Sequence, residues 1–123
     1  MCKVITMNVD NRKFRVAEIK KKYMTNIIDA AKKCDFIERV VLFGSSIEDR
    51  CRESSDIDIA VFGNQIRSKA LSSKKYEQFA RQVFAFSNFD QDYDILYFKS
   101  GSNIKNLIMD DINKGEVLYE RTQ

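Results

Sequence analysis

Two aspartates separated by a single residue are the strongest chemical signal in the sequence. Asp56 and Asp58 begin the run Asp-Ile-Asp-Ile-Ala-Val-Phe, whose apolar content is typical of a buried β-strand. Side chains alternate along a strand, so both carboxylates are expected on one face. Carboxylates this close repel each other, and a divalent cation such as magnesium, which prefers oxygen ligands, relieves the repulsion. A solvent-facing acidic strand end is the competing interpretation of this stretch alone.

A glycine-serine turn precedes the acidic pair. The apolar run Val40–Phe43 ends in Gly44, Ser45 and Ser46. Glycine lets the backbone approach a ligand closely, and exposed amides and hydroxyls there can hold phosphate oxygens. Such a pattern by itself usually marks only a turn. Here ten residues lie between Ser45 and Asp56, enough for a loop that returns to an adjacent strand, so the turn and the acidic pair are predicted to lie side by side.

A third carboxylate is available at Asp94, near the start of the apolar run Tyr93–Phe98. In two-metal phosphoryl chemistry, a third carboxylate holds the second ion and accepts the proton of the attacking hydroxyl. Asp90 and Asp92 are competing candidates. Because both precede the apolar run, they are predicted to lie in a loop, and Asp94 is favoured.

The elements that must position these residues alternate between helices and strands. We predict a weak strand over Val4–Val9, an amphipathic helix over Phe14–Cys34 with its lysines outward, and strands over Val40–Phe43 and Ile57–Phe62. A helix over Ala70–Phe86, with Leu71, Phe79, Val83 and Phe84 inward, precedes a strand over Tyr93–Phe98. Ser102 or Asn103 is expected to cap a helix that carries Ile104, Leu107, Ile108 and Ile112 and is closed by Gly115, before a terminal strand at Val117–Tyr119. This order predicts an α/β (α+β) fold in one domain over residues 1–123, with a small mixed sheet flanked by helices.

Composition excludes several classes of chemistry. The chain of 123 residues has a net charge of +3, which demands neither nucleic acid nor a membrane as partner, and the lysine runs at 20–22 and 74–75 are expected to be solvated helix faces. The absence of histidine excludes Ser-His-Asp and Cys-His nucleophiles and histidine-bound zinc. The three cysteines (Cys2, Cys34 and Cys51) have no metal-binding spacing. Together with the lack of a secretory signature or membrane-length apolar run, they predict a cytoplasmic protein with reduced thiols.

The motifs together carry a family resemblance. Phe-Gly-Ser, a short loop, Ser-Asp-Ile-Asp-Ile and a later aspartate in an apolar strand resemble the nucleotidyltransferases of the DNA polymerase beta-like superfamily, especially the minimal nucleotidyltransferase type. The resemblance spans about Val40 to Phe98. It implies the polymerase beta-like fold and attack by an acceptor hydroxyl on the α-phosphorus of a nucleoside triphosphate, which releases pyrophosphate.

The resemblance also implies roles for individual residues. Asp56 and Asp58 would bind the magnesium ions that orient the triphosphate, and Asp94 would complete a two-ion site. Gly44 and Ser45, with Ser46 as a neighbouring candidate, would hold the phosphates. ATP is the expected donor because it is common in the family, while no residue signals the choice of base.

One departure from the family concerns charge at the phosphates. Many minimal members carry Ala-Arg-Gly shortly after the Gly-Ser, whereas the aligned residues here are Ile47, Glu48 and Asp49. The carboxylate of Glu48 cannot meet phosphate charge. Either Arg50 or Arg52 substitutes from the same loop, or both are exposed loop charges and the site binds nucleotide weakly.

The identity of the acceptor stays open at this level. We expect no large acceptor domain, and minimal members of the family commonly pair with a helical HEPN toxin, some transferring AMP to its tyrosine hydroxyl. Protein AMPylation by an antitoxin-like chain is the leading hypothesis. A homodimer that adenylylates a small hydroxylated molecule such as an aminoglycoside is the second. A non-catalytic module that masks its partner by contact is the third, and it explains Glu48 most simply. Modification of nucleic-acid ends is least favoured, because no basic stripe interleaved with aromatics is present.

Overall fold

The computed structural model describes residues 2–101 and 107–121 of the chain. The elements in chain order are β1 (Val4–Val9), β2 (Arg12–Ala17), α1 (Lys21–Lys32), β3 (Ile37–Phe43), β4 (Ile57–Gly63), α2 (Arg67–Ser72), α3 (Lys74–Ala85), β5 (Tyr93–Lys99), α4 (Leu107–Asn113) and β6 (Glu116–Glu120). Two 3-10 turns, Glu18–Lys20 and Gly44–Ile47, precede α1 and follow β3.

A mixed four-stranded sheet in the order β5-β4-β3-β6 forms the centre of the molecule. β3 runs antiparallel to both β4 and β6, whereas β4 and β5 are parallel. Parallel neighbours need a long crossover, and α2 and α3 supply it here. The predicted mixed sheet flanked by helices is therefore confirmed.

Both faces of the central strands are covered by apolar residues. In β4, Ile57, Ile59 and Val61 belong to the larger core with α1 and α3, while Ala60 and Phe62 belong to a smaller cluster with Ile112 of α4. Burial on both faces explains why the strands read as continuous apolar runs. By alternation, Asp58 lies on the face of the smaller cluster.

The prediction of a helix over Phe14–Cys34 is wrong for its N-terminal part. Arg12–Ala17 forms β2, which pairs with β1 in a hairpin, and the α-helix begins at Lys21. Asp10 and Asn11 between the strands have φ of 53° and 66°, the left-handed values of a type I′ hairpin turn. Buried Phe14 and Val16 flank exposed Arg15, which is the period-two pattern of a strand. Both apolar residues also fit a helical spacing that continues into α1, so the sequence pattern predicts a helix.

The outward direction predicted for the lysines of this segment holds for Lys21 and Lys22 but is wrong for Lys20. Lys20 is only 1% exposed, whereas both neighbours are exposed. The reason is that Lys20 ends a 3-10 turn instead of lying on the outer face of a continuous helix. Its side chain therefore enters the interior.

The helix predicted over Ala70–Phe86 is divided in two. Ser73 between α2 and α3 has extended backbone, and its Oγ accepts a hydrogen bond of 3.1 Å from the amide of Tyr76, as an N-cap. The break turns Leu71 outward, where it is 41% exposed, so its predicted burial is wrong. Phe79 and Val83 are buried as predicted, and Phe84 is half-buried.

The C-terminal segment closes the far edge of the sheet. β6 pairs with β3, with Leu42 opposite Glu116, and α4 precedes it. The predicted cap at Ser102 or Asn103 and the apolar Ile104 lie outside the described residues. Within residues 2–101 and 107–121, none of the helices combines the length and the apolarity needed to cross a bilayer.

Candidate active site

The register of the sheet brings two of the three predicted carboxylates together. Asp58 of β4 is the direct partner of Asp94 on the parallel strand β5, and on its other side it pairs with Phe43, the last residue of β3. Paired residues on neighbouring strands carry their side chains on the same face. Asp56 lies just before β4 and is exposed, as is Asp94, whereas Asp58 is half-buried.

Gly44 follows β3 directly and lies against Asp58. A Cβ on Gly44 would overlap Oδ2 of Asp58, and φ of +73° is a backbone conformation that side chains disfavour. Glycine is therefore required here on both steric and conformational grounds. The 3-10 turn that starts at Gly44 thus lies beside Asp58, as the loop length predicts.

Burial and the repulsion of neighbouring carboxylates perturb the carboxyl group of Asp58. Burial, then the neighbouring charges of Asp94 and Asp56, raise the pKa of Asp58 from 3.8 to about 6, and Arg50 opposes them. The carboxylates of Asp94 and Asp56 therefore both act electrostatically on Asp58. A cation bound among them would relieve this repulsion.

The two serines of the turn differ in access. Ser45 is partly exposed, and its side chain opposes the rise that burial causes in the pKa of the Cys51 thiol. Ser46 is fully buried, and its Oγ has no hydrogen-bond partner among the described residues. The Ser46 hydroxyl is thus enclosed in this structure, and its contact with phosphate stays a prediction.

The two loop arginines are both exposed and differ in their partners. Arg50 donates from Nε and Nη2 to the two carboxylate oxygens of Glu48, each at 3.0 Å, in a bidentate ion pair. Glu48 is the main cause that raises the pKa of Arg50, and Asp58 adds to it, so Arg50 lies within electrostatic reach of Asp58. Within the described part of the chain, the Arg52 side chain forms no ion pair, and its amide donates to Ser55 Oγ at 3.0 Å.

A cleft of about 330 Å³ adjoins the turn. Its lining residues carry both signs of charge and comprise Arg15, Gly44, Ile47, Glu48, Arg50, Asp111 and Lys114. The sequence pattern does not single out Arg15 or Lys114, because they come from β2 and from the end of α4, and only the tertiary fold brings them to Gly44. Arg15 also forms an ion pair of 3.3 Å with Glu116.

The chemistry of the carboxylates suits a hard divalent cation. Across residues 2–101 and 107–121, no group of three or more histidines, cysteines and acids is arranged to hold a metal ion on its own. Magnesium is usually held by one or two carboxylates together with substrate phosphates and water. The pair Asp58 and Asp94 beside a glycine turn therefore fits an ion shared with a nucleotide, and does not form a protein-only metal cage.

Comparison with protein families gives a match over most of the chain. A family model described as "Polymerase beta, Nucleotidyltransferase" matches residues 25–123. The matched segment begins within α1, so the hairpin of β1 and β2 precedes it, and it includes Gly44, Asp56, Asp58 and Asp94. No curated protein matches the chain significantly.

We expect Gly44→Ala to destabilise the protein more than Gly101→Ala. Both glycines have a positive φ, but a Cβ at Gly101 meets nothing within 4 Å, whereas one at Gly44 meets Asp58. Backbone strain alone predicts a loss of about 1 kcal/mol at Gly101, and displacement of Asp58 raises the loss at Gly44 to about 2 to 4 kcal/mol. Urea unfolding measures both, and equal losses would contradict the contact with Asp58.

We expect Asp58→Asn to stabilise the fold at pH 7. The pKa of Asp58 is about 6 in the folded protein, above its ordinary 3.8, so the charged carboxyl costs stability above pH 6. This cost fades as pH falls towards 4. Because solvent screens part of the repulsion, the variant should gain only about 1 kcal/mol at pH 7, and nothing at pH 4.

The pH dependence has a control of opposite sign. A hydrogen bond from Lys75 lowers the pKa of exposed Asp35, so Asp35→Asn should lose stability at pH 7 and not gain it. Unfolding free energies of both variants between pH 4 and 7.5 are compared with the unsubstituted protein. A loss of stability in Asp58→Asn at pH 7 would refute the repulsion.

Proposed function

The chain belongs to the polymerase beta nucleotidyltransferase family, and we propose that it transfers a nucleoside monophosphate at the site around Gly44, Asp58 and Asp94. One observation carries this proposal: Asp58 is opposite Asp94 in parallel register and its Oδ2 lies against Gly44. Carboxylates for a cation and a backbone turn for phosphates are thereby adjacent. Membership of the minimal nucleotidyltransferase type is compatible with the match and stays a prediction.

Each site residue has a defined task in the proposed reaction. Asp56, Asp58 and Asp94 hold divalent cations, magnesium in our proposal, jointly with the triphosphate. When bound there, magnesium supplies charge neutralisation at the phosphates. The amide of Gly44 and the hydroxyl of Ser45 orient phosphate oxygens, and transfer then depends on positioning more than on a covalent helper.

The proposed reaction balances without any further reactant. Asp94 accepts the proton of the acceptor hydroxyl, and the oxygen of that hydroxyl forms a bond to the α-phosphorus. The bond from that phosphorus to the bridging oxygen of pyrophosphate breaks, and pyrophosphate leaves with the electron pair. ATP is the donor in our proposal, on the basis of the family resemblance.

We propose a hydroxyl of another protein as the acceptor, in an antitoxin-like pairing with a helical HEPN protein. The cleft beside Gly44 measures about 330 Å³, near the lower end for a ligand pocket, so it suits one nucleotide better than a nucleotide with a bulky acceptor. A partner that brings its own tyrosine would complete such a site. Adenylylation of a small hydroxylated molecule such as an aminoglycoside by a homodimer is the other acceptor hypothesis. The cytoplasmic location likewise stays a prediction.

A contact-only binding module is a second candidate function, and the ion pair of Glu48 with Arg50 favours it. Both carboxylate oxygens of Glu48 accept hydrogen bonds from the Arg50 guanidinium, so less of the positive charge of Arg50 is available to phosphate. Arg52 is the remaining loop cation that could approach phosphate. In this alternative the fold masks a partner, and the carboxylates have no catalytic task.

Transfer is tested on the chain together with whatever protein co-purifies with it. With magnesium and each nucleoside triphosphate in turn, intact mass should show a gain of one or more nucleotidyl units on the partner. Asp56→Ala combined with Asp58→Ala should abolish the gain, because the cation loses its ligands. Asp90→Ala, which removes an exposed acid outside the strand, is the matched control and should keep it.

Two results would count against transfer. If the doubly substituted chain still neutralises its partner fully, contact alone is the mechanism. If neither the partner, the chain itself nor a panel of small hydroxylated acceptors gains mass, and no magnesium-dependent nucleotide binding is found, the enzymatic proposal fails.

We expect Glu48→Gln to tighten binding of a nucleoside triphosphate. The neutral amide no longer holds Arg50 in an ion pair, so the guanidinium is released towards the phosphates. Exposed ion pairs are weak, so affinity should rise by no more than about fivefold at low salt. Calorimetry with a non-hydrolysable analogue measures this. Glu77→Gln, which breaks the similar exposed pair with Arg81, should change nothing, and an unaltered affinity in Glu48→Gln would show that the pair does not compete with phosphate.

A further inference from the structure

A buried lysine holds the loop that leads into the acidic strand. Lys20 is 1% exposed, and its Nζ donates to the backbone oxygens of Glu53 at 2.9 Å and Ser55 at 2.7 Å and to Oε1 of Gln91 at 2.7 Å. An ammonium has three N–H donors, so each of them has a partner here. A buried charge is tolerated only when it is hydrogen-bonded in this way.

Gln91 extends this network to the neighbouring strand. It is 5% exposed, and its Nε2 donates to the backbone oxygens of Ser55 at 3.0 Å and Asp92 at 2.7 Å. The oxygen of Asp92 also accepts the amide of Ile57, the first residue of β4, at 3.0 Å. Ser55 and Asp92 are therefore joined through the side chains of Lys20 and Gln91.

These contacts lie immediately before the carboxylates. Ser55 directly precedes Asp56, and Asp92 stands two residues before Asp94. Parallel strands have no hairpin turn to set their register, because the chain between them crosses over through helices. The network supplies such a constraint at the beginnings of β4 and β5, which is also where Asp58 faces Asp94.

We propose that Lys20, acting with Gln91, is a positioning residue of the carboxylate site. It holds the beginnings of β4 and β5 together, so that Asp56, Asp58 and Asp94 lie close enough to share a cation. This inference rests on the proposed function, because it assigns the carboxylates a common ligand. Lys20 is not itself a base or nucleophile, since all its donors are engaged with protein oxygens.

The charge of Lys20 adds to this positioning. Burial lowers the pKa of Lys20, whereas the charges of Asp56 and Glu53 favour its ammonium form, and Nζ donates to oxygen atoms in all three of its hydrogen bonds. A fixed positive charge behind Asp56 offsets part of the repulsion among the carboxylates before a cation arrives. A neutral side chain of the same length would fill the space without supplying either effect.

The test compares Lys20→Met and Gln91→Leu with two controls. Lys21→Met removes an exposed lysine next in sequence, and Val83→Ala destabilises α3 without touching the network. Binding of Mn²⁺, a paramagnetic substitute for magnesium, is measured with a non-hydrolysable triphosphate present. Hydrogen exchange of the Ile57 amide is measured on the free protein.

Both test variants should bind Mn²⁺ at least tenfold more weakly and exchange the Ile57 amide at least tenfold faster. Val83→Ala should lower the unfolding temperature and leave Mn²⁺ affinity unchanged, and Lys21→Met should alter neither. If Lys20→Met does not fold, Gln91→Leu decides. Unchanged Mn²⁺ affinity and Ile57 exchange in a folded variant would overturn the inference and leave Lys20 a core residue only.

Failure of the proposed function is distinguishable from failure of this inference. If the unsubstituted protein binds no Mn²⁺ with or without the triphosphate analogue, the proposed function fails and hydrogen exchange alone decides on Lys20. Faster exchange confined to the beginnings of β4 and β5 then supports the positioning role. Exchange that rises uniformly, or does not rise, overturns it.

Discussion

Like-charged carboxylates on neighbouring strands are the constraint on which the rest of the structure depends. Asp58 faces Asp94 across a parallel pair, and burial with mutual repulsion raises the pKa of Asp58 to about 6. Such an arrangement persists only where other interactions hold the strands in place. Ile57 and Ile59, on either side of Asp58, are fully buried in the larger core, and their burial supplies that free energy.

The surroundings of Asp58 restrict it from several directions. Gly44 leaves only enough room for the carboxylate, and the hydrogen bonds of Lys20 and Gln91 join the beginnings of β4 and β5. The site is therefore placed at some cost to stability, a trade that is common where a ligand is expected to supply the missing charge. The guanidinium of Arg50 is paired with both carboxylate oxygens of Glu48, and in our proposal this ion pair competes with phosphate.

The sequence predicts the central strands and the acidic face well, because both follow from local periodicity. β3, β4 and β5 contain the predicted runs, and Asp56, Asp58, Asp94 and Gly44 meet at one end of the sheet. The hairpin was hidden because Phe14 and Val16 also fit a helical spacing with α1. Continuous apolar spacing predicts one helix where the structure has α2 and α3. The break at Ser73 is not visible in that spacing, because it depends on one capping hydroxyl and an extended backbone.

The sequence by itself determined which chemical groups are present and which neighbours share a strand face, because alternation is a property of the backbone. Carboxylates, a glycine turn and the absence of histidine already pointed to cation-assisted phosphoryl chemistry. Only the tertiary structure decided that Asp58 faces Asp94, that Lys20 is buried and that Ser46 is enclosed. Lys20 donates hydrogen bonds to three residues that lie 33, 35 and 71 positions further along the chain, and such contacts depend on how the sheet and helices pack.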